Sequence, residues 1–194
     1  MTTTLLQLLV KFDPEEDINT INLELAIADL DAVNKRIGKV KKVAQQGDKE
    51  AKAEMAVLEK LKPVLEEGNA ARSIDFNKDE QKIVKGLFLL TAKPVIYVAN
   101  IAESSMADPE SDKYFQIVKK HAEKEHAEAL GISASAEEQI AGLDGDEKKE
   151  MLEMEGVKEP GLDRLIRAAY HILGLRTSSL AGGPETRAWT STKV

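Results

Sequence analysis

The sequence predicts a helix-rich α/β fold in which a long antiparallel helical hairpin is followed by a partial parallel sheet. Apolar residues of the first third of the chain repeat every three or four positions, which is the period of a helix packed along one side. Two short apolar runs come later, and helical patterns precede and follow each of them. Strands that alternate with helices are typical of parallel sheets.

A coiled-coil helical hairpin is predicted for residues 18–67. Asp13-Pro14-Glu15-Glu16 has the residues of a helix start, and Gln45-Gln46-Gly47-Asp48 supplies a stop followed by a second N-cap. The apolar spacing predicts coiled-coil packing, and Pro63 is expected to kink the second helix or end it early. The predicted packing positions are Leu23, Ala26, Leu30, Val33, Ile37, Val40 and Ala44 in the first helix and Ala51, Met55, Leu58 and Leu65 in the second.

Beyond Gly68 the pattern changes to alternating helices and strands, with strands predicted at residues 94–99 and 129–132. The first strand is apolar at every position, which favours burial between helices on both faces of a sheet. Asp108-Pro109 is expected to begin the helix between the strands, because Pro is favoured at the first helical position.

Composition favours an acidic cytoplasmic protein without a membrane segment. The 194 residues carry a net charge of −7, 31% of them are charged, and there is no cysteine, which excludes disulfides and thiolate metal sites. The apolar run at residues 5–10 is too short for a membrane span and is expected to form an edge strand or a short helix. The basic strip at residues 35–42 is expected to be a solvated helix face, although it also offers side chains to a phosphate backbone. No sequence-specific DNA binding is expected.

The most informative motif is Asn100-Ile101-Ala102-Glu103, which directly follows the first predicted strand. Ligands of parallel sheets bind beyond the carboxyl ends of the strands, and an Asn-x-x-acid sequence at that place is how P-loop nucleotide enzymes hold a purine base. Guanine-specific sites have Asn-Lys-x-Asp, so Ile101 and the longer Glu103 argue against strict guanine specificity. The same four residues are also compatible with a loop Asn that caps a turn beside a solvated Glu.

A second loop, Ser133-Ala134-Ser135, follows the second predicted strand. Small side chains and backbone N–H groups at this place offer contacts to a base that a bulky residue would block. A helix N-cap by Ser133 or Ser135 is the simpler interpretation of the loop alone. The order of the two loops, about thirty residues apart with one helix between them, favours a shared site.

Other kinds of site are not indicated by the sequence. There is no Gly-x-x-x-x-Gly-Lys-Ser/Thr motif to hold phosphates and Mg²⁺, so the chain alone is not expected to hydrolyse a nucleotide and we predict no catalytic residue. His121 and His126 are five positions apart on a predicted helix and do not share a face, and His171 is remote, so no metal site is predicted.

The sequence resembles the central part of the YchF/Obg-like ATPase family between Asp13 and Thr190. The Asn-x-x-Glu motif in place of Asn-Lys-x-Asp is itself a mark of that family. Met1 to Lys11 follow the family pattern poorly. The other segments that carry the resemblance are Asp13-Pro14, Asp17-Ile18, Ile21 to Leu25, Gly68 to Ser73, Leu90 to Val95, Glu159 to Ala168 and Arg187 to Thr190.

The resemblance implies a P-loop GTPase-type domain interrupted by a helical hairpin, with ATP preferred to GTP and hydrolysis linked to the ribosome. Asn100, Ile101 and Glu103 would then flank the adenine, Ser133 and Ala134 would form the second base-contacting loop, and Mg²⁺ would bind only with the Walker A half that these residues do not include. The implied domains are the edge of the nucleotide-binding domain at 1–17, the hairpin at 18–67, the second half of the P-loop domain at 68–185 and a linker toward a β-rich TGS domain at 186–194. We therefore expect a fragment, or one half of a divided gene.

Two alternatives to an ATP-binding fragment remain at this point. In the first, the chain is a non-enzymatic interaction module whose hairpin binds the ribosome or a protein partner, and the sheet is only a platform. In the second, the fragment does not fold alone, because a partial sheet leaves an uncovered edge and an apolar face.

Overall fold

The computed structural model describes residues 13–182 and 185–192, and the chain divides into two units between Pro94 and Val95. Of the predicted edge of the nucleotide-binding domain at 1–17, residues 1–12 lie outside the described residues. Residues 68–94 belong to the same unit as the hairpin, and the predicted domain bounds stay a prediction.

The first unit is built on the predicted helical hairpin. Helix α1 spans Pro14–Gln45 and helix α2 spans Lys49–Glu66, and the two pack along each other. Asp13 and Asp48 cap them, each accepting a backbone N–H three residues on. Pro63 does not end α2 early: the helix continues past it to Glu66, although Pro63 has no N–H to donate one turn back.

A continuous apolar core lies between these helices and the segment that follows them. A 3₁₀ turn at Ala71–Ser73 and helix α3 at Lys78–Leu87 complete the unit. Leu23, a predicted packing residue, is 48% exposed. It lies beside the turn after α2, with its Cδ1 3.0 Å from the position that a Cβ on Gly68 would occupy. The core residues are Ala26, Val33, Val57, Leu58, Leu61, Leu65, Ala71, Val84 and Leu89.

Among residues 13–94, one charged residue, Asp29, is buried. Its carboxylate accepts hydrogen bonds from the backbone N–H groups of Leu90 and Thr91, at 2.8 and 2.7 Å, and from the Thr91 hydroxyl at 2.6 Å. Thr91 Oγ in turn accepts from the backbone N–H of Ala71 at 2.9 Å. A buried carboxylate with three donors is satisfied, so Asp29 fixes the segment after α3 to the hairpin.

The second unit contains the predicted parallel pair of strands. Strand β1 spans Ile96–Asn100 and strand β2 spans Glu128–Ile132, with Ile96 opposite Glu128 and Asn100 opposite Ile132. Helix α4 at Lys113–Lys124 connects the strands and packs on both of them. The later helices are α5 at Ala134–Ala141, α6 at Gly145–Met154 and α7 at Gly161–Ile172, of which α7 packs on β2.

Three sequence predictions for this unit need correction. Val98 of β1 is 47% exposed, so β1 is not buried on both faces. Helix α7 packs on the neighbouring strand β2 and leaves Val98 exposed. Helix α4 begins at Lys113 rather than Pro109, because Asp112 caps it, whereas Pro109–Ser111 is a separate 3₁₀ turn. The predicted linker at 186–194 contains β4 (Glu185–Thr192), whose backbone pairs antiparallel with β3 (Leu175–Gly182).

Within the described ranges, no helix combines the length and the apolar character needed to cross a membrane.

Candidate nucleotide-base site

The two predicted loops lie side by side at the carboxyl end of the β1–β2 pair. We call residues 100–103 the base loop and residues 133–135 the Ser-Ala loop, although the latter are the N-cap and the first two residues of α5 rather than the loop that the sequence predicts. The parallel register places Asn100 opposite Ile132, so both strands end at the same edge of the sheet. The backbone N–H of Ile101 donates to the carbonyl of Ile132 at 3.0 Å, which extends the strand pairing to the start of both loops.

Asn100 connects the base loop to the Ser-Ala loop directly. Its Oδ1 accepts a hydrogen bond from the backbone N–H of Ala134 at 3.0 Å. Both residues are exposed to solvent. With the oxygen engaged in this way, the side-chain amide of Asn100 still carries two N–H donors.

Glu103 makes the second connection between the loops. Its Oε1 accepts from the Ser135 hydroxyl at 2.7 Å and from Nε2 of Gln139 at 3.2 Å. The Ser135 hydroxyl also lies 3.1 Å from the hydroxyl of Ser133. These contacts form one hydrogen-bonded network, and hydrogen bonds arranged in this way strengthen one another.

The other two predicted site residues face the interior. Ile101 is buried, and its Cδ1 lies 3.1 Å from the position that a Cβ on Gly131 would occupy, so its side chain packs against β2. Ser133 is buried at the N-cap position of α5, yet its hydroxyl makes no capping hydrogen bond and contacts Ser135 instead. The side chains of Ile101 and Ser133 therefore pack on the interior side of the two loops.

The segment after the base loop is held by Asp112. This residue accepts from the backbone N–H groups of Tyr114 and Phe115, at 2.8 and 3.0 Å, and its second oxygen lies 3.4 Å from the hydroxyl of Ser105. The Phe115 N–H is the main cause that lowers the pKa of Asp112 below its usual value, because it stabilises the charged form. Asp112 thereby connects the turn at Glu103–Ser105 to the start of α4.

Sequence reasoning missed two polar residues that complete this arrangement. Gln139 and Glu137 lie on α5, where their spacing suggests only a solvated helix surface. Gln139 reaches Glu103, and Glu137 accepts the backbone N–H groups of Gly161 and Leu162 at the start of α7. No spacing along the sequence indicates these contacts, because the partners lie 24 to 36 residues apart.

The arrangement offers both donors and acceptors to a planar base. The amide N–H donors of Asn100 match the N7 acceptor that adenine and guanine share. Oε1 of Glu103 is held by Ser135 and Gln139, and the second carboxylate oxygen, Oε2, is suited to accept from an exocyclic amine.

No family model matches the chain, but individual relatives do. It is 48% identical to the ribosome-binding ATPase YchF of Bacillus subtilis over 94% of its own length, and 47% identical to that of Pasteurella multocida over 93%. The protein of the same name from Escherichia coli O157:H7 is 43% identical over 93% of the chain. The chain spans about half the length of these relatives, from 49% to 50%.

A solved structure gives the same result at the level of the fold. The Schizosaccharomyces pombe YchF GTPase superposes with a TM-score of 0.79 at 29% sequence identity, over 93% of this chain and 49% of that one. Similarity in sequence and in backbone thus extends over nearly all of the chain. We conclude that the chain belongs to the YchF family.

Proposed function

We propose that the chain carries the base-recognition part of a YchF nucleotide site and that this site prefers ATP to GTP. The observation that carries the proposal is the direct hydrogen bonding between the base loop and the Ser-Ala loop, from Ala134 to Asn100 and from Ser135 to Glu103. Two loops that are far apart in sequence are held at one edge of a parallel sheet, which is where such sheets bind ligands.

The preference for adenine is argued from the number of free acceptor positions on Glu103. Guanine presents two donors on one edge, its ring N–H and its exocyclic amine, and a carboxylate with both oxygens available can accept both. In this chain Oε1 already has two donors, from Ser135 and Gln139, which leaves Oε2 for the ligand. The two neighbouring donors of guanine need two oxygens side by side, whereas one available oxygen suits the single exocyclic amine of adenine. A guanine donor left without a partner in the complex would cost about 1–3 kcal/mol.

Phosphate binding, Mg²⁺ and hydrolysis are assigned in this proposal to a part of the protein outside these 194 residues. The sequence has no Walker A motif, and the relatives are about twice as long as the chain. In phosphoryl transfer the metal and the phosphate-binding groups stabilise the charge of the transferred group. The base loop and the Ser-Ala loop would contribute binding and orientation of the nucleotide, not the chemical step.

Association with the ribosome, and with it a cytoplasmic location, forms the second part of the proposal. It is supported by the names of the bacterial relatives, which are ribosome-binding ATPases. Those names give no support to a purely non-enzymatic interaction module.

The test is calorimetric titration of the purified chain with ATP, with GTP and with tripolyphosphate as an anion without a base. We expect ATP to bind more tightly than tripolyphosphate, and Asn100→Ala to weaken ATP and GTP binding by about tenfold, the equivalent of one hydrogen bond. Asn34→Ala, an exposed Asn on α1, is the matched control and should change neither affinity. Equal affinities for ATP and tripolyphosphate would disprove base recognition by this chain.

A further inference from the structure

Residues on both sides of the Ser-Ala loop contact the same helix end, the start of α7. Glu137 lies one turn into α5, immediately after the loop, and its Oε1 accepts from the backbone N–H of Gly161 at 2.5 Å. Its Oε2 accepts from the N–H of Leu162 at 3.2 Å. These are N–H groups that have no partner within the helix, and a negative charge at a helix N-terminus is favourable.

The other side of the loop touches the same helix end through Gly161. A Cβ on Gly161 would lie 2.8 Å from Cγ2 of Ile132, the last residue of β2, and 3.0 Å from Oε1 of Glu137. Glycine is therefore required here for space, since any side chain would push α7 away from β2. Gly161 thus contacts Ile132, the residue before the Ser-Ala loop, and Glu137, which is two residues after it.

We propose that Glu137, acting through Gly161, is a positioning residue for the Ser-Ala loop. Its carboxylate fixes α5 to α7 while Ile132 packs against the same peptide, so the segment between them is held at both ends. This arrangement directs the N–H of Ala134 toward Asn100 and the hydroxyl of Ser135 toward Glu103. The consequence for nucleotide binding rests on the proposed function, whereas the effect on the loop itself does not.

A residue that only caps α7 would affect stability throughout the unit, and this gives a way to separate the two roles. Positioning predicts a local change at Ala134 and at the side chain of Asn100. Capping alone predicts a change shared by β1, α4 and α7. Residue-resolved hydrogen exchange by NMR distinguishes these patterns without any ligand.

The experiment compares Glu137→Ala and Glu137→Gln with the full wild-type chain. Glu138→Ala is the matched control, because Glu138 is the exposed neighbour on the same helix. We expect the Ala134 amide to exchange about tenfold faster in Glu137→Ala, with a smaller increase in Glu137→Gln, which keeps one acceptor oxygen. The side-chain amide resonances of Asn100 should shift, the Val98 amide should exchange as in wild type, and Glu138→Ala should change nothing. An unchanged Ala134 amide, or an equal increase at Val98, would overturn the proposal.

Nucleotide affinity provides the second measurement. Glu137→Ala should weaken ATP binding by about tenfold, because the displaced loop no longer directs the Ala134 N–H and the Ser135 hydroxyl to the base loop. It should also lower the ATP-to-GTP ratio, because Oε1 of Glu103 then loses a donor. ATP binding equal to that of the wild type would overturn the assignment to positioning. If the wild-type chain binds neither nucleotide, the proposed function fails, and the exchange of Ala134 still decides the role of Glu137.

Discussion

Each of the two units has its own kind of stabilising contacts. In the helical unit, Leu58, Leu61 and Leu65 are at most 1% exposed and stack along one continuous core. In the α/β unit the buried cluster of Met106, Ala136, Ile140 and Leu152 is smaller, and Val98 of β1 and Leu162 of α7 are 47% and 56% exposed. The candidate site of that unit depends instead on hydrogen bonds of defined geometry. Burial therefore accounts for the stability of the first unit, and polar contacts account for the shape of the site in the second.

This difference predicts two kinds of mutational effect. A truncated side chain in a packed core leaves a cavity, which lowers the free energy of unfolding. A removed hydrogen bond in an exposed loop costs little stability, because water replaces the partner, but it changes where the remaining groups point. Core variants should therefore affect folding, and loop variants should affect ligand preference.

The largest effect is expected from Leu61→Ala in the core of the helical unit. Leu61 is fully buried, so the change should lower the free energy of unfolding by roughly 3–5 kcal/mol, through lost apolar burial and the cavity that remains. Urea unfolding followed by circular dichroism measures the loss. Ile27→Ala on α1, where the side chain is 55% exposed, should cost far less. Similar losses for both variants would contradict a core that is concentrated between α1 and α2.

The next effect is expected from Asp29→Ala, the polar exception within the apolar unit. It removes the acceptor of three donors on Leu90 and Thr91, and buried donors without a partner should cost about 2–3 kcal/mol. Asp31→Ala is the control, because its exposed ion pair with Lys35 contributes little. Urea unfolding measures both, and a loss at Asp29 no greater than at Asp31 would mean that burial alone holds the segment after α3.

Asp29 also illustrates what the sequence could not predict. The apolar spacing identified Ala26 and Val33 as packing residues, and both are buried. An Asp between them looks like a surface residue, because its partners lie 61 and 62 positions away. The helical period of apolar residues indicates which face of a helix is apolar. It does not indicate that a polar side chain is buried and hydrogen-bonded to backbone groups that are distant in sequence.

The candidate site was easier to anticipate, since its main residues follow from one rule about sheets. The carboxyl ends of two neighbouring parallel strands meet at one edge, and that rule places Asn100 near Ala134. The rule does not say which side chains point outward, so the burial of Ile101 and Ser133 was not predicted. The β3–β4 hairpin was missed because Thr177-Ser178-Ser179 has no apolar alternation to indicate a strand.

A smaller effect, on selectivity, is expected from the double variant Ser135→Ala with Gln139→Ala. It frees Oε1 of Glu103, so the carboxylate can accept both donors of guanine, and the ATP-to-GTP affinity ratio should fall by about tenfold. Calorimetric titration with both nucleotides measures the ratio, and the stability of the chain should change little. Glu138→Ala, on the same helix, should leave the ratio unchanged. A ratio that persists in the double variant would show that acceptor number on Glu103 does not set the preference.

The smallest effect is expected at Asp112, which caps α4 and supports the turn after the base loop. Asp112→Ala should lower the free energy of unfolding by about 1 kcal/mol at neutral pH, the usual contribution of an N-cap carboxylate. The amide exchange rates in α4 should rise by the factor that corresponds to this free energy. Because the pKa of Asp112 is lowered in the folded chain, its stabilisation is present above the unfolded-state pKa of about 4 and is lost as the pH falls through the folded-state pKa. Wild type and variant should therefore converge in acid. Asp144→Ala is the matched control, since Asp144 occupies the N-cap position of α6 without a side-chain capping bond. If both variants lost the same stability at neutral pH, the hydrogen bonds of Asp112 would not be what stabilises the start of α4.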